Sequence, residues 1–428
     1  MRRIVLIALL AAAAPFRAAA ETPPPAEAPD PVEAAIRARL GDNLDEISLV
    51  PGAAFAAETE TFLGQVASFA EDFFGADKEV SRAARRLPGA LRRSGLLAVA
   101  GAGRGEWAPG DGSVFSTSFW HEGGATNPTL PGLLATWPEP VLAEDSPYAH
   151  SLADELPAHS LLGWTSSLDP RELWRVARAL VPEVAPECAA AVDAALDKVK
   201  TAFGFDADAV AASLRPGVLF ALAVDTNRLV GIADFPGKAP APGALFGVRA
   251  ADSTAFDALA RLLPALGVRV KTDEYGIAHC LDVVLPTNAP AWIAPRIEWL
   301  PDEGLLIVQS HPAITTAGDH LAAADNDAFW DYARPLGREG DLAFVSPELL
   351  RYCARLLGTE PAPRGADRAP APPPRNLWFV SRTVRIPGEG VLLRTRSALP
   401  PPGPYVPDER LVVPFWFLLR PVPAAPAP

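Results

Sequence analysis

Six histidines, His121, His150, His159, His279, His311 and His320, bound the acid–base and metal chemistry open to this chain. No two stand at i, i+2 or i+4, so none forms a local zinc-ligand pair. His311 and His320 flank a short helical stretch, and a zinc ion there needs ligands from elsewhere. The three cysteines, Cys188, Cys280 and Cys353, have no zinc-ligand spacing and cannot all pair within one chain. In an oxidising compartment one bridge remains open, with its pairing unset. Cys188 shares a helical stripe with Val192, Ala195 and Val199, which points it at a core. Asp273-Glu274 is a carboxylate pair beside a turn. General acid–base work needs carboxylates opposed across a cleft, and neighbours in sequence point apart. The motifs G-x-S-x-G, H-E-x-x-H, C-x-x-C and G-x-x-x-x-G-K-[ST] are all absent. Gly101-Ala102-Gly103-Arg104-Gly105 lacks the spacing of a dinucleotide fingerprint and reads as a turn. Serine nucleophiles need a distant histidine and acid, and one sequence brings none together. Of ten tryptophans, Trp107, Trp120, Trp137, Trp164 and Trp174 fall in the first half. Exposed, they would stack on sugars; core is the ordinary use. Catalytic residues stay unidentified at this level, and no cofactor or metal is expected.

The chain that must position these groups has 428 residues, 49% hydrophobic and 21% charged, which is globular composition. Its 47 prolines are roughly twice the usual share, so ordered turns and loose linkers are both expected. The formal net charge of −13 argues against a nucleic-acid partner, because neutralising phosphates requires a basic surface. Residues 1–20 read as a signal peptide: Arg2 and Arg3, a short apolar core over Ile4–Pro15, then Ala18-Ala19-Ala20, with cleavage between Ala20 and Glu21. No cysteine follows that core, so a lipid anchor is not expected, and no other apolar stretch is long enough to span a bilayer. The expected location is the periplasm or the cell exterior.

After a disordered leader over 21–31, residues 32–95 read as helical. Phe62, Val66, Phe69 and Phe73 share one helix face, ended by Gly75; Pro88-Gly89 should break or kink the next helix. The arginines at 82, 85, 86, 92 and 93 should form a solvated face balanced by Glu71, Asp72, Asp77 and Glu79, or else meet an anionic envelope component. Over 96–358 strands alternate with helices. One pattern of strand, cap and helix occurs three times, at Asp169–Leu180, Asp252–Leu263 and Ser346–Leu357. Each cap suits a helix N-terminus, and Pro170 and Pro347 take the first helical position. Leu173, Phe256 and Leu350 stand four residues after the cap and should be buried equivalently. The spacing exceeds that of a solenoid, roughly 20–50 residues, and suits related α/β lobes.

A Pro-rich linker over 359–375 leads to a C-terminal hairpin and apolar tail segment over 376–428. The turn Pro387–Gly390 should set Ile386 opposite Val391 and Val384 opposite Leu393, with Arg385, Arg394 and Arg396 together on the other face. The run Leu411–Leu419 is apolar, interrupted by Pro414, and too short to cross a bilayer as a helix. It should dock on its own fold, a partner or a membrane surface.

Phe205–Leu222 (capped helix, Pro/Gly break, strand), Gly243–Leu263 (strand, then capped helix) and Asp302–Ala313 together resemble exported bacterial proteins that carry a large domain of unknown function. The resemblance covers roughly 98–399 and implies an envelope location without supplying catalytic residues. The lipid-anchored members carry a cysteine that this chain lacks. The expected fold is α+β: repeated curved, mainly antiparallel sheets backed by helices, with a helical N-terminal segment. The expected function is non-catalytic binding of an envelope protein or polymer. The alternatives are a hydrolase of envelope polymer or peptide and a carrier of an apolar ligand. The oligomeric state is unspecified.

Overall fold

The computed structural model describes residues 31–41, 44–93, 99–110, 113–122, 152–157, 159–231, 236–275, 278–287, 289–290, 292–311, 327–337, 340–358, 379–386 and 389–398. The expected signal peptide and leader, Trp137, His150, His320, the Pro-rich linker and the run Leu411–Leu419 lie outside the described residues.

The elements follow in order: α1 (Pro31–Leu40), β1 (Glu46–Pro51), α2 (Gly52–Phe74), α3 (Glu79–Arg93), β2 (Val99–Trp107), β3 (Ser113–Glu122) and β4 (Ser160–Ser166). Next come α4 (Pro170–Val184), α5 (Pro186–Phe203), α6 (Ala207–Ser213), β5 (Leu214–Gly231), β6 (Lys238–Ala250), α7 (Thr254–Ala265), β7 (Val270–Tyr275) and β8 (Ala278–Val283). The series ends with β9 (Arg296–Leu300), β10 (Leu305–Gln309), α8 (Asp327–Ala333), β11 (Asp341–Val345), α9 (Pro347–Leu356), β12 (Phe379–Ile386) and β13 (Gly390–Ala398).

All the strands join one 13-stranded sheet, ordered β1-β2-β3-β13-β12-β11-β4-β5-β6-β10-β9-β8-β7, and each neighbouring pair is antiparallel. Helices and a large antiparallel sheet make the fold α+β. Three stretches of chain share one connection order, strand, helix or helices, strand, strand: β1 to β3, β4 to β6, and β11 to β13. In each, the three strands lie side by side.

Side chains alternate between the two faces of the sheet. On the first face, Leu219, Ala221, Leu245, Ile307, Leu342, Phe344 and Val380 pack beneath Phe329, Tyr332 and Ala333 of α8. Further along that face, Phe119 and Leu392 meet Ile36 and Leu40 of α1. On the second face, Val218, Val248, Leu306 and Trp299 pack against Phe256 and Ala255 of α7, while Leu161 and Ala239 pack against Leu349, Tyr352 and Leu356 of α9. No described helix is long and apolar enough to cross a membrane.

The Gly-rich segment 101–105 is not a turn but the body of β2. A Cβ at Gly103 would overlap Ile36 of α1, and one at Gly105 would press into Leu44. Glycine at alternate positions therefore bares one strip of the strand so that α1 can lie against it. The hairpin register also differs by one residue. Glu389 N–H bonds the Ile386 carbonyl at 3.0 Å, Gly390 joins β13, and Ile386 pairs with Gly390, Arg385 with Val391 and Val384 with Leu392. Arg394 and Arg396 consequently share a face with Arg382, and Arg385 points to the other. Pro88 does not end α3, which continues to Arg93.

The three strand-then-helix segments exist as β4–α4, β6–α7 and β11–α9. The caps act as expected at two: Asp169 accepts from Arg171 N–H at 2.9 Å and Ser346 from Glu348 N–H at 3.2 Å. In the third, Asp252 accepts from Thr254 N–H at 2.9 Å and α7 begins one residue later, after Ser253. The helix faces differ. Phe256 is buried and Leu173 half-buried, whereas the side chain of Leu350 lies outside the described residues. The buried face of α9 is Leu349, Tyr352 and Leu356, and Leu357 is exposed.

Candidate functional site

The densest buried polar cluster lies where β4 and β11 pair. Ser166 Oγ donates to Asp341 Oδ2 at 2.5 Å, and Ser167 N–H donates to Asp341 Oδ1 at 2.6 Å. Leu168 N–H donates to Ser166 Oγ at 3.2 Å, and Leu342 N–H to Thr165 Oγ1 at 3.3 Å. From β12, Arg382 donates to the Gly340 carbonyl at 3.2 Å and is only 4% exposed. Burial pushes the Arg382 guanidinium down to about 10, and the charge of Asp341 opposes that fall. Three residues past Ser166, Asp169 caps α4. Burial works against its charge, but hydrogen bonds from Arg171 outweigh that and hold its carboxyl below the usual value.

This cluster joins strand ends, and the acceptor shown for the Ser166 hydroxyl is the Asp341 carboxylate. A serine nucleophile needs a base within about 3 Å. His279 shares a cross-sheet row with Ser166, through Val218, Val248, Leu306 and Trp299. It stands five strand spacings away, about 24 Å. His121 is engaged elsewhere, with Nδ1 2.6 Å from the Glu389 carbonyl.

A second polar group lies on β8 and β9. Arg296 Nε donates to Asp282 Oδ1 at 2.6 Å, and Cys280 Sγ lies 3.9 Å from Glu298 Oε1. Burial raises the Glu298 carboxyl, and it pushes the Cys280 thiol up to about 11, with the Glu298 charge adding to the rise. Cys280 is therefore a protonated thiol at neutral pH and a poor nucleophile. Asp273 pairs with Cys280 and Glu274 with His279 in the β7–β8 ladder. All three cysteines are free thiols. Among the described residues no three His, Cys, Asp or Glu side chains gather as metal ligands.

Several of the arginines expected to form a solvated face, or else to meet an anion, have partners within the protein. Arg396 Nη1 donates to the Tyr332 carbonyl at 2.7 Å, and its guanidinium lies 4.1 Å from the Tyr332 ring centroid and 5.0 Å from that of Phe115. Along α3, Arg82 and Arg86 pair with Glu187, Arg85 with Glu71, Arg92 with Glu60 and Arg93 with Glu183. Of the acids named from sequence, only Glu71 is among these partners. Trp107 stacks on Phe115, and Trp174 donates to Asp208 at 2.7 Å. A concavity lined by Arg178, Val181, Pro182, Ala189 and Asp193 holds about 130 Å³. That is below the roughly 300–1,000 Å³ of small-molecule sites.

No protein-family model, curated protein or solved structure matches this chain.

Among the described residues two apolar surfaces carry exposed large side chains. On α2, Leu63, Ala67 and Ala70 face inward, and the stripe read from sequence faces out: Phe69 is 60% and Phe73 55% exposed, with Phe62 and Val66 half-buried beside them. Phe69 and Phe73 stack on each other at 6.0 Å between centroids. The inward choice follows from size. Small side chains let α3 come close enough for Ser81 Oγ to donate to the Ala70 carbonyl at 3.1 Å and the Gly75 carbonyl at 2.9 Å. The second surface is a row on the sheet, Val308, Phe246, Phe220, Trp164 and Ala343, contributed by β10, β6, β5, β4 and β11. Phe246 and Val308 are exposed. No sequence signal marks this row, since its five residues come from five strands.

Proposed function

We propose that this chain is an exported, non-catalytic envelope protein that acts by binding another protein through the outer face of α2. The observation that carries this reading is the exposed pair Phe69 and Phe73, with half-buried Phe62 and Val66 on the same face. Contiguous exposed apolar surface of this kind marks interaction sites, and helix anchors spaced by three and four residues suit an apolar groove on a partner. The charged side chains of α2 are all acidic, Glu58, Glu60, Glu71 and Asp72. An anionic lipid surface would repel it, since interfacial helices carry Lys and Arg on their polar face. The net charge of −13 favours the same exclusion for nucleic acid. The finer architecture read from the sequence, related lobes with curved sheets, and the resemblance to exported proteins with a large domain of unknown function belong to this proposal.

The test is recovery of partners from the native envelope. Phe69→Glu with Phe73→Glu should leave the unfolding midpoint nearly unchanged, because such exposed substitutions cost within about 0.5 kcal/mol. The same variant should lose the captured protein. Capture of the same proteins by the double variant would sink the reading. Export is tested separately: N-terminal sequencing of the extracytoplasmic product should begin at Glu21, and a cytoplasmic product that retains Met1 would overturn it.

A further inference from the structure

We infer that the apolar row on the sheet is the seat of this chain's own C-terminal run, Leu411–Leu419, which closes a slot left between α7 and α9. On the second face, α7 covers the rows through Val248 and Leu306, and α9 covers those through Leu161 and Ala239. Among the described residues the row between them is left open at Phe246, 44% exposed, and Val308, 39% exposed, while Trp164 further along packs against the α7 cluster. Two large apolar side chains side by side on neighbouring strands are stabilised by a cover that removes them from water.

The described chain stops within reach of this slot. The row continues past Ala343 through Ser381 to Thr395 of β13, three residues before the described chain stops at Ala398. From β13 to β6 is five strand spacings, about 24 Å. Between Ala398 and Leu411 the sequence supplies residues 399–410, rich in proline. At about 3.1 Å per residue in such spacers, that reaches roughly 37 Å. The run beyond it is nine residues, Leu-Val-Val-Pro-Phe-Trp-Phe-Leu-Leu. Extended at about 3.3 Å per residue it covers roughly 30 Å, against about 19 Å for the four spacings from Val308 to Ala343. Pro414 bars the run from a central ladder, but the slot is a sheet face that takes side chains and asks for no ladder hydrogen bonds. A tethered segment also meets the slot at an effective concentration of about millimolar, which a free partner must outcompete.

The experiment places a photocrosslinking benzophenone side chain at Trp416 in the full-length protein and maps the products by mass spectrometry. The expected result is an intramolecular link to peptides containing Phe246 or Val308. In parallel, maleimide labelling of Val308→Cys, followed on its own peptide, should rise about tenfold when Leu411–Pro428 is deleted, the factor set by removing a cover worth about 1.4 kcal/mol. Links within the chain but away from the slot, links to a second copy or to another protein, or labelling unchanged by the deletion would each overturn the inference. Phe246→Ser serves as the companion variant: it should reduce the crosslink while the described fold persists. None of these readouts involves Phe69 or Phe73, so failure here is distinct from failure of the proposed binding face.

Discussion

Asp341→Ala should lower stability by about 3 kcal/mol or more, because two hydrogen bonds to one buried carboxylate are lost, each worth about 1.5–3 kcal/mol. Two losses combine. The Ser166 hydroxyl and the Ser167 N–H lose the carboxylate that accepts from both, at 2.5 and 2.6 Å. Arg382 loses the charge that opposes its burial. The sign follows from its position: burial holds Arg382 at about 10, below its unfolded value, so its buried cation costs stability at every pH below about 10. That cost lifts only as pH rises through 10. The deficit of Asp341→Ala should therefore be undiminished across neutral pH. Asp341→Asn keeps an acceptor for Ser167 N–H and should lie between the variant and wild type. Adding Arg382→Met to Asp341→Ala should restore part of the loss, because it removes the buried cation whose desolvation Asp341 offsets and leaves an apolar side chain of similar length. Urea midpoints of wild type, Asp341→Ala, Arg382→Met and the double variant measure the cycle. A double variant no more stable than Asp341→Ala alone would show that the charge on Arg382 is not what Asp341 answers.

The parts of this architecture that were legible in the sequence are those written locally. Asp169-Pro170 and Ser346-Pro347 state a cap and a first helical residue in two letters, and α4 and α9 begin there. Gly75 ends α2 as its position implied. The strip Gly101, Gly103, Gly105 was written just as plainly, with the period of two that belongs to a strand. Its meaning depended on α1, which lies more than sixty positions earlier and needs a bare surface to approach. The hairpin shows how little separates two registers. A turn shorter by one residue carries Arg385 to the opposite face from Arg394 and Arg396, and the apparent arginine trio dissolves. In α2 the periodicity was correct and the direction was not given by it. The helix has a phenylalanine face and a small-residue face, and close packing on α3 selected the small one. The short strands β1 and β9 carry five or six residues each, too few for period two to stand out from neighbouring sequence. The Asp341 cluster and the apolar row were beyond any local reading: the first joins residues from β4, β11 and β12, the second from five strands.

Gly340→Ala should be strongly damaging for a single added methyl, with Gly110→Ala as its control. Both glycines have φ of +86°. For an L-residue that conformation alone costs roughly 1–2 kcal/mol. What differs is the space around the new Cβ. At Gly110 nothing lies within 4 Å, so the substitution should cost only that conformational amount. At Gly340 the Cβ would overlap the Thr383 carbonyl oxygen and crowd Val384, and both belong to the neighbouring strand β12. A backbone carbonyl held in a ladder cannot swing aside as a side-chain end can. Relief requires β11 and β12 to part, and the Gly340 carbonyl that accepts from Arg382 moves with them. The loss should exceed about 4 kcal/mol, the range reserved for substitutions that break a packed interior. If the variant fails to accumulate, hydrogen exchange on Gly340→Ser expressed at low temperature reports the same opening. Faster exchange of the β11 and β12 amides, with β1 and β2 unaffected, is the expected pattern. Equal urea midpoints for Gly340→Ala and Gly110→Ala would show that β11 and β12 yield to the added methyl, and that the joint between β4 and β11 is softer than its buried hydrogen bonds imply.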